Sequence, residues 1–281
     1  MSVVRLEARE EGSGPPLLLL HGWPQHSGAW SRVLPRLAEN YRVLAPDLRG
    51  LGRSPAPPGD YRKHTLVQDV LAFLDERGVD RFRVIGHDWG GWITWLLALE
   101  HPRRVERAVA LDIVPPVGDP MTLRRLLGAI AFFGYQYVIA SPWLGEHVLR
   151  TRPGFVRALL WGSTARRDAW SPGEVDEYAR LLQQPERARA SVGYYRQFLV
   201  WELWRVVAGL YTRGRLEVPL LAIYGERSPL YRAFGAATAR PNLRVEVLPG
   251  VGHNIPDEAP AELLELAEPF LAADEPAAAA A

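Results

Sequence analysis

The feature that most constrains this chain is Phe82-Arg83-Val84-Ile85, followed at once by Gly86-His87-Asp88-Trp89-Gly90-Gly91 and an apolar run to about Glu100. A short apolar strand, a glycine-dense turn and a helix, with no linker between them, lift one side chain above the end of a sheet. Here that side chain is Asp88, where a serine more often stands. The N-terminus of the following helix favours negative charge and keeps Asp88 ionised, as a carboxylate nucleophile requires. An aspartate N-cap with glycines for close packing gives the same short pattern, so the rest of the chain has to decide.

The neighbouring segments form an alternating series. The chain opens with a short alternating run, Val3 to Glu7, and Pro16 to Leu20 is a continuous apolar run ending at His21-Gly22. Such a run suits a strand covered on both faces. Ala29 to Glu39 has helical spacing, Tyr41 to Ala45 reads as a strand stopped by Pro46, and Leu66 to Leu74 carries a helical stripe ended by Gly78. Ala108 to Leu111 is a further strand. This alternation predicts an α/β fold with a mostly parallel central sheet flanked by helices. From about Pro115 to Leu210 it gives way to helical, aromatic sequence, then resumes at Val218 to Tyr224, Leu243 to Leu248 and a helix from about Ala259 to Leu271. We read one core, residues 1–115 and 211–271, interrupted by a helical cap at 116–210 that inserts roughly 95 residues. Residues 272–281 (AADEPAAAAA) read as a disordered tail.

Composition narrows the functions. Lys+Arg total 33 against Asp+Glu 32, so no surplus of positive charge exists to neutralise phosphates, and nucleic acid is not an expected partner. The chain has no cysteine, which removes disulfides, thiolate metal ligands and cysteine nucleophiles together. Its opening, MSVVRLEAREEG, is charged where a signal peptide needs an apolar run. No stretch approaches the roughly 20 apolar residues of a membrane span. A cytoplasmic protein without a membrane partner, metal or cofactor is expected. Lys63 is the only lysine among many arginines, and no function is read from it.

Two further segments match the elbow. Leu248-Pro249-Gly250-Val251-Gly252-His253 puts a histidine on a glycine-rich loop after the last strand, in the order nucleophile, acid, base. A lone loop histidine is usually just solvated, but in this order His253 reads as the catalytic base. His21-Gly22-Trp23-Pro24 follows the first buried strand. It could be a plain turn, yet the backbone N–H of Trp23 could pair with that of Trp89 as an oxyanion hole.

Together, HGWP at 21–24, PDLRGLGRS at 46–54, GHDWGG at 86–91 and PGVGH at 249–253 resemble the alpha/beta-hydrolase-fold branch of epoxide hydrolases, haloalkane dehalogenases and fluoroacetate dehalogenases. The resemblance spans essentially the whole chain. It implies that Asp88 attacks a carbon to form an ester and that His253 activates the water that hydrolyses it. Serine-esterase chemistry is disfavoured because position 88 is Asp. Many relatives carry the triad acid after the strand that begins here at Val218, but this chain has Ser228 there, in Tyr224-Gly225-Glu226-Arg227-Ser228. Other relatives place it one strand after the nucleophile, where Leu111-Asp112-Ile113-Val114-Pro115 resembles fluoroacetate dehalogenases. Asp112 is therefore preferred over Glu226 as the residue that orients His253.

The electrophile is read from the cap. Epoxide opening develops an alkoxide that benefits from a positioned acid, whereas halide departure needs N–H donors around an anion. Tyr135-Gln136 and Gly193-Tyr194-Tyr195-Arg196 resemble the tyrosine segments of soluble epoxide hydrolases and point to Tyr135 and Tyr195, although aromatics in a helical cap also serve as core. Trp89 also fits a halide-binding indole, and Trp89 and Trp92 stand where fluoroacetate dehalogenases carry carboxylate-binding arginines. Both tryptophans are taken as substrate-binding candidates. The reading is an epoxide hydrolase, with a haloalkane or haloacid dehalogenase second and a non-catalytic hydrolase-fold binding protein third. The expected partners are a small epoxide or organohalide and water, and a homodimer is left open.

Overall fold

Successive residues of a strand point to opposite faces, and Leu17 to Leu20 are buried on both. That run is β2 (Pro16–Leu20) of a seven-stranded sheet in the computed structural model, which describes residues 3–116, 134–212, 214–238 and 240–273. The other strands are β1 (Ala8–Glu11), β3 (Arg42–Pro46), β4 (Phe82–His87), β5 (Val105–Leu111), β6 (Leu220–Gly225) and β7 (Leu243–Leu248). Their spatial order is β1-β3-β2-β4-β5-β6-β7. Only β1 runs antiparallel; every other pairing is parallel, as the alternation predicts.

The two faces have separate cores. Leu18, Leu20, Val84 and Ala110 face one side, against α2 (Lys63–Asp75) and α3 (Trp89–Glu100). Leu17, Leu19, Ile85 and Leu111 face the other. There they meet Leu34 of α1 (Leu34–Leu37) and Leu263 and Leu271 of α12 (Pro260–Ala272). Each fully buried leucine contributes about 1.5–3 kcal/mol.

Two local expectations change. Val4 and Leu6 are buried, but the strand begins only at Ala8. Their backbone is held by side chains instead, with Val4 N–H donating to Asp69 and Glu7 N–H to Ser54. The helix expected over Ala29–Glu39 divides into a 3-10 turn at Ser27–Trp30 and the short α1. Pro35 lacks an N–H and fits only the first turn of a helix, which prevents one continuous helix.

Between β5 and β6 the described residues form helices. These are α4 (Gly134–Ala140), α5 (Leu144–Thr151), α6 (Pro153–Ser163), α7 (Pro172–Leu181), α8 (Pro185–Gln197) and α9 (Leu203–Val207), with a π turn at Phe198–Glu202 joining the last two. Prolines begin α6, α7 and α8, where the missing N–H costs nothing. Two short helices complete the core: α10 (Pro229–Phe234), which the hydrophobic pattern does not reveal, and α11 (Ile255–Glu258). Residues 117–133 of the expected cap and 274–281 of the expected tail lie outside the described residues. Among the described residues no helix is long and apolar enough to cross a membrane.

Candidate active site

Asp88 stands between β4 and α3 with φ 52° and ψ −122°, a strained conformation for a residue with a side chain. Glycine makes the surrounding approach possible. A Cβ on Gly90 would lie 2.0 Å from the Leu20 carbonyl oxygen, and one on Gly22 would lie 2.4 Å from Cβ of Asp88. The turn after β2 is thereby pressed against the elbow, and the Trp23 N–H donates to Asp88 Oδ1 at 3.0 Å. The Trp89 amide faces the same carboxylate. Burial alone would raise the pKa of Asp88, but His253, with smaller contributions from His87 and the Trp89 amide, holds it below the ordinary aspartate value. The carboxylate is ionised at neutral pH.

His253 follows β7 and is fixed by its backbone, its N–H donating to the Ser163 carbonyl at 2.9 Å. Its carbonyl accepts from His87 Nε2 at 2.8 Å, which ties this loop to the elbow and sets the His87 tautomer. The His253 ring lies between two carboxylates. Nδ1 is 2.6 Å from Asp112 Oδ2, and Nε2 is 3.6 Å from Asp88 Oδ2. Burial opposes charge on the ring, but Asp112 and then Asp88 outweigh it and raise the pKa to about 10.

The sequence leaves two acids open, and the geometry separates them. Asp112 follows β5 at φ 43°, is fully buried, and also accepts from the Gly225 N–H at 3.1 Å and from the Ser228 hydroxyl. Glu226 is exposed and accepts from the Gly250 N–H at 2.9 Å. The sequence shows Ser228 only as standing where many relatives carry the acid; that it serves as a partner of Asp112 is not legible there.

Asp88 and His253 open into a cavity of about 410 Å³, lined also by Tyr135 of α4, Tyr195 of α8, Leu159 and Leu160 of α6, and Leu230 of α10. The Tyr135 and Tyr195 hydroxyls interact with each other, and Gln136 Nε2 donates to that of Tyr135 at 3.4 Å. Burial first, and the nearby Asp88 charge next, raise the Tyr135 pKa to about 12. Burial, Tyr135 and Asp88 raise that of Tyr195 well above its ordinary value. Both phenols are protonated at neutral pH.

The rings of the two tryptophans expected to bind substrate lie outside this cavity. Neither Trp89 nor Trp92 is among the described residues lining the cavity. Trp92 packs on Phe198 and Tyr211, with ring centroids 5.4 Å and 5.5 Å away, because its position on α3 turns it toward the helices over the sheet. Trp89 lies behind Tyr195, 5.8 Å between ring centroids. Trp23, chosen for its amide, does line the cavity, and its indole N–H donates to Ser191 Oγ at 2.9 Å.

Other parts of the quoted motifs hold loops. His21 Nε2 accepts from the Leu48 N–H at 2.9 Å, and burial lowers its pKa to about 4, so it stays neutral. Asp47 accepts from the Ser27 and Arg53 N–H groups at 2.7 and 2.8 Å.

Comparison with known proteins agrees with this architecture. Residues 15–260 match the model of the alpha/beta hydrolase fold. The chain is 30% identical over 271 residues to the soluble epoxide hydrolase of Corynebacterium sp. (strain C12), covering 93% of this chain and 91% of that one. It is 31% identical over 274 residues to a fluoroacetate dehalogenase of Burkholderia sp., covering 92% and 88%. The solved structure of the epoxide hydrolase CorEH without ligand superposes with a TM-score of 0.83 at 28% identity, over 96% of this chain and 95% of that one. With a parallel sheet, an elbow after β4 and a family match over most of its length, the chain belongs to the alpha/beta hydrolase fold family and is a hydrolase.

Proposed function

We propose that the protein is an epoxide hydrolase that opens an epoxide to a vicinal diol through a covalent ester on Asp88. The observation that carries this reading is the pair of interacting phenols, Tyr135 and Tyr195, lining one cavity with the Asp88 carboxylate. The helices between β5 and β6 act as the cap, and they supply both tyrosines.

In the first step an Asp88 oxygen attacks an epoxide carbon, the carbon–oxygen bond breaks, and the leaving oxygen takes a proton from the tyrosine pair. Ester formation removes the Asp88 charge, one of the two that hold a proton on His253. The imidazole pKa falls, its proton returns to the phenolate, and His253 is freed as a base. In the second step His253 takes a proton from water, which attacks the ester carbonyl, while the Trp23 and Trp89 amides stabilise the oxyanion. Asp112 orients the imidazole and balances its charge. Collapse expels the diol oxygen, which takes the imidazolium proton, and the carboxylic acid so formed gives its proton back to His253, restoring the Asp88 carboxylate.

A dehalogenase using the same nucleophile is the second reading, favoured by the likeness to the fluoroacetate dehalogenase. Against it, no arginine or lysine is among the described residues lining the cavity, so a substrate carboxylate has no partner there. Intact-mass measurement of His253→Gln, incubated with styrene oxide or a bromoalkane, separates the readings. Ester formation needs only the carboxylate, so the adduct accumulates. An added mass equal to the whole epoxide supports epoxide opening. A bromoalkane adduct, substrate less hydrogen bromide, without an epoxide adduct selects the dehalogenase. No adduct across a panel of epoxides and organohalides leaves a binding protein.

A further inference from the structure

Lys63, the only lysine, lies in the first turn of α2 and is fully buried. Its ammonium sits 4.0 Å from the centroid of the Trp89 ring and 5.3 Å from that of Phe198. Its polar partners are Glu202 Oε2 at 3.5 Å and the Tyr194 carbonyl at 3.4 Å. Glu202, carried by the π turn, is itself buried and accepts from the Lys63 backbone N–H at 2.9 Å and the Tyr211 hydroxyl at 2.5 Å. Burial lowers the Lys63 pKa, with Glu202, Asp88 and Asp60 opposing that shift. A cation kept so deep, with one carboxylate and an aromatic face for company, is unusual unless it has work there.

The ammonium does not reach the cavity, but Trp89 connects it to the reacting groups. The Trp89 amide faces the Asp88 carboxylate. Its indole N–H faces the Tyr195 hydroxyl, though outside strict hydrogen-bond geometry at rest. A cation over an indole face draws π density toward itself and leaves the ring N–H a stronger donor. Tyr195 needs a donor at one moment, when proton transfer to the epoxide oxygen leaves negative charge on the tyrosine pair.

We propose that Lys63 is a positioning residue for epoxide opening, acting through Trp89 to strengthen the indole N–H that stabilises charge on Tyr195. This inference rests on the epoxide hydrolase reading. Lys63 does not touch substrate, and its influence is confined to the step in which Tyr195 gives up its proton. Hydrolysis of the ester, which draws on His253 and Asp112, does not depend on it.

The test is a double-mutant cycle on the rate of Asp88 ester formation from styrene oxide, measured by rapid quench and intact mass in the His253→Gln background. Lys63→Met together with Glu202→Gln removes both buried charges at similar volume and leaves neither partner orphaned. Lys63→Arg keeps a cation beside Glu202 and the Trp89 ring. We expect the charge-free pair to slow ester formation about tenfold, and to have no further effect once Tyr195→Phe is present. Lys63→Arg stays within about threefold of the parent, and ester hydrolysis in enzyme retaining His253 is unchanged. A slowing that persists undiminished with Tyr195→Phe, or that appears equally in ester hydrolysis, overturns the inference. A tenfold loss from Lys63→Arg overturns it as well. If the charge-free pair does not fold, Trp89→Phe, which deletes the indole N–H and keeps the amide, must slow ester formation only while Tyr195 has its hydroxyl, and an equal slowing with Tyr195→Phe overturns the inference. If the parent forms no epoxide adduct, the epoxide reading itself fails. An adduct in the parent with an additive cycle removes only the role of Lys63.

Discussion

The Ser228 hydroxyl donates to Asp112 Oδ2, the same oxygen that lies 2.6 Å from His253 Nδ1. A serine after β6 thus supports an acid delivered from the end of β5. If Asp112 orients the base, Asp112→Asn should slow ester hydrolysis by at least ~10³-fold, because the neutral amide cannot stabilise the imidazolium. Ser228→Ala, which removes one of three donors to that carboxylate, should cost about tenfold. Glu226→Gln should change the rate less than about threefold, since its carboxylate meets the Gly250 amide and not the imidazole. Single-turnover decay of the Asp88 ester measures all three, and a larger loss at Glu226 than at Asp112 reverses the assignment.

Tyr135→Phe and Tyr195→Phe keep the packed rings and delete only the hydroxyls. Each should slow ester formation from an epoxide by about 10- to 100-fold, and the two together by substantially more. Attack on a bromoalkane needs no proton and should hardly change. Stopped-flow comparison of the two substrates checks this; a double variant that opens the epoxide at the parent rate removes the tyrosines from the mechanism.

The raised pKa of His253 has a signed effect on stability. Its folded value of about 10 exceeds the ordinary 6.5, so the folded protein holds a proton that the unfolded chain has already released between those limits. The resulting stabilisation is complete below about pH 6.5 and is lost as pH rises toward 10. Thermal unfolding of the parent and His253→Gln should therefore differ most near pH 6, with the parent's advantage shrinking through pH 8 and 9. A gap that widens with pH contradicts the ion cluster.

Gly90→Ala should be far more damaging than its size suggests. The new methyl would lie 2.0 Å from the Leu20 carbonyl oxygen, in rigid backbone that cannot yield without moving β2 against the elbow. A loss of about 3 kcal/mol or more is expected, visible as a lowered Tm or as insoluble protein. Gly154→Ala, with open space around the added methyl, is the matched control and should unfold close to the parent.

Much of the core was legible because its signals are local. The apolar run at β2, the stripe along α2 and the glycine-flanked Asp88 each declare themselves within about a dozen residues. What escaped depends on distance along the chain. Ser228 meets Asp112 across 116 positions, and Lys63 meets Glu202 across 139. No periodicity records such meetings. Trp92 is a substrate-binding candidate only through resemblance, and helical rotation carries its ring to Phe198 and Tyr211, a direction that the resemblance does not record. Tyr135 and Tyr195, separated by 60 positions, could be named only through resemblance.

The π turn at Phe198–Glu202 makes chain length in this segment as informative as residue identity. Such a turn holds an additional residue compared with an α-helical turn. Because either turn completes one revolution, removing one residue here would restore regular winding and leave α9 in phase with α8, whereas the same loss inside α8 would rotate everything beyond it by about 100°. Val200 and Trp201 are exposed, so the extra residue can be lost from the outer side of the turn without swinging Glu202 away from Lys63. Among diverging descendants of this chain, loss of one residue should therefore be tolerated in this turn and weeded out within α8.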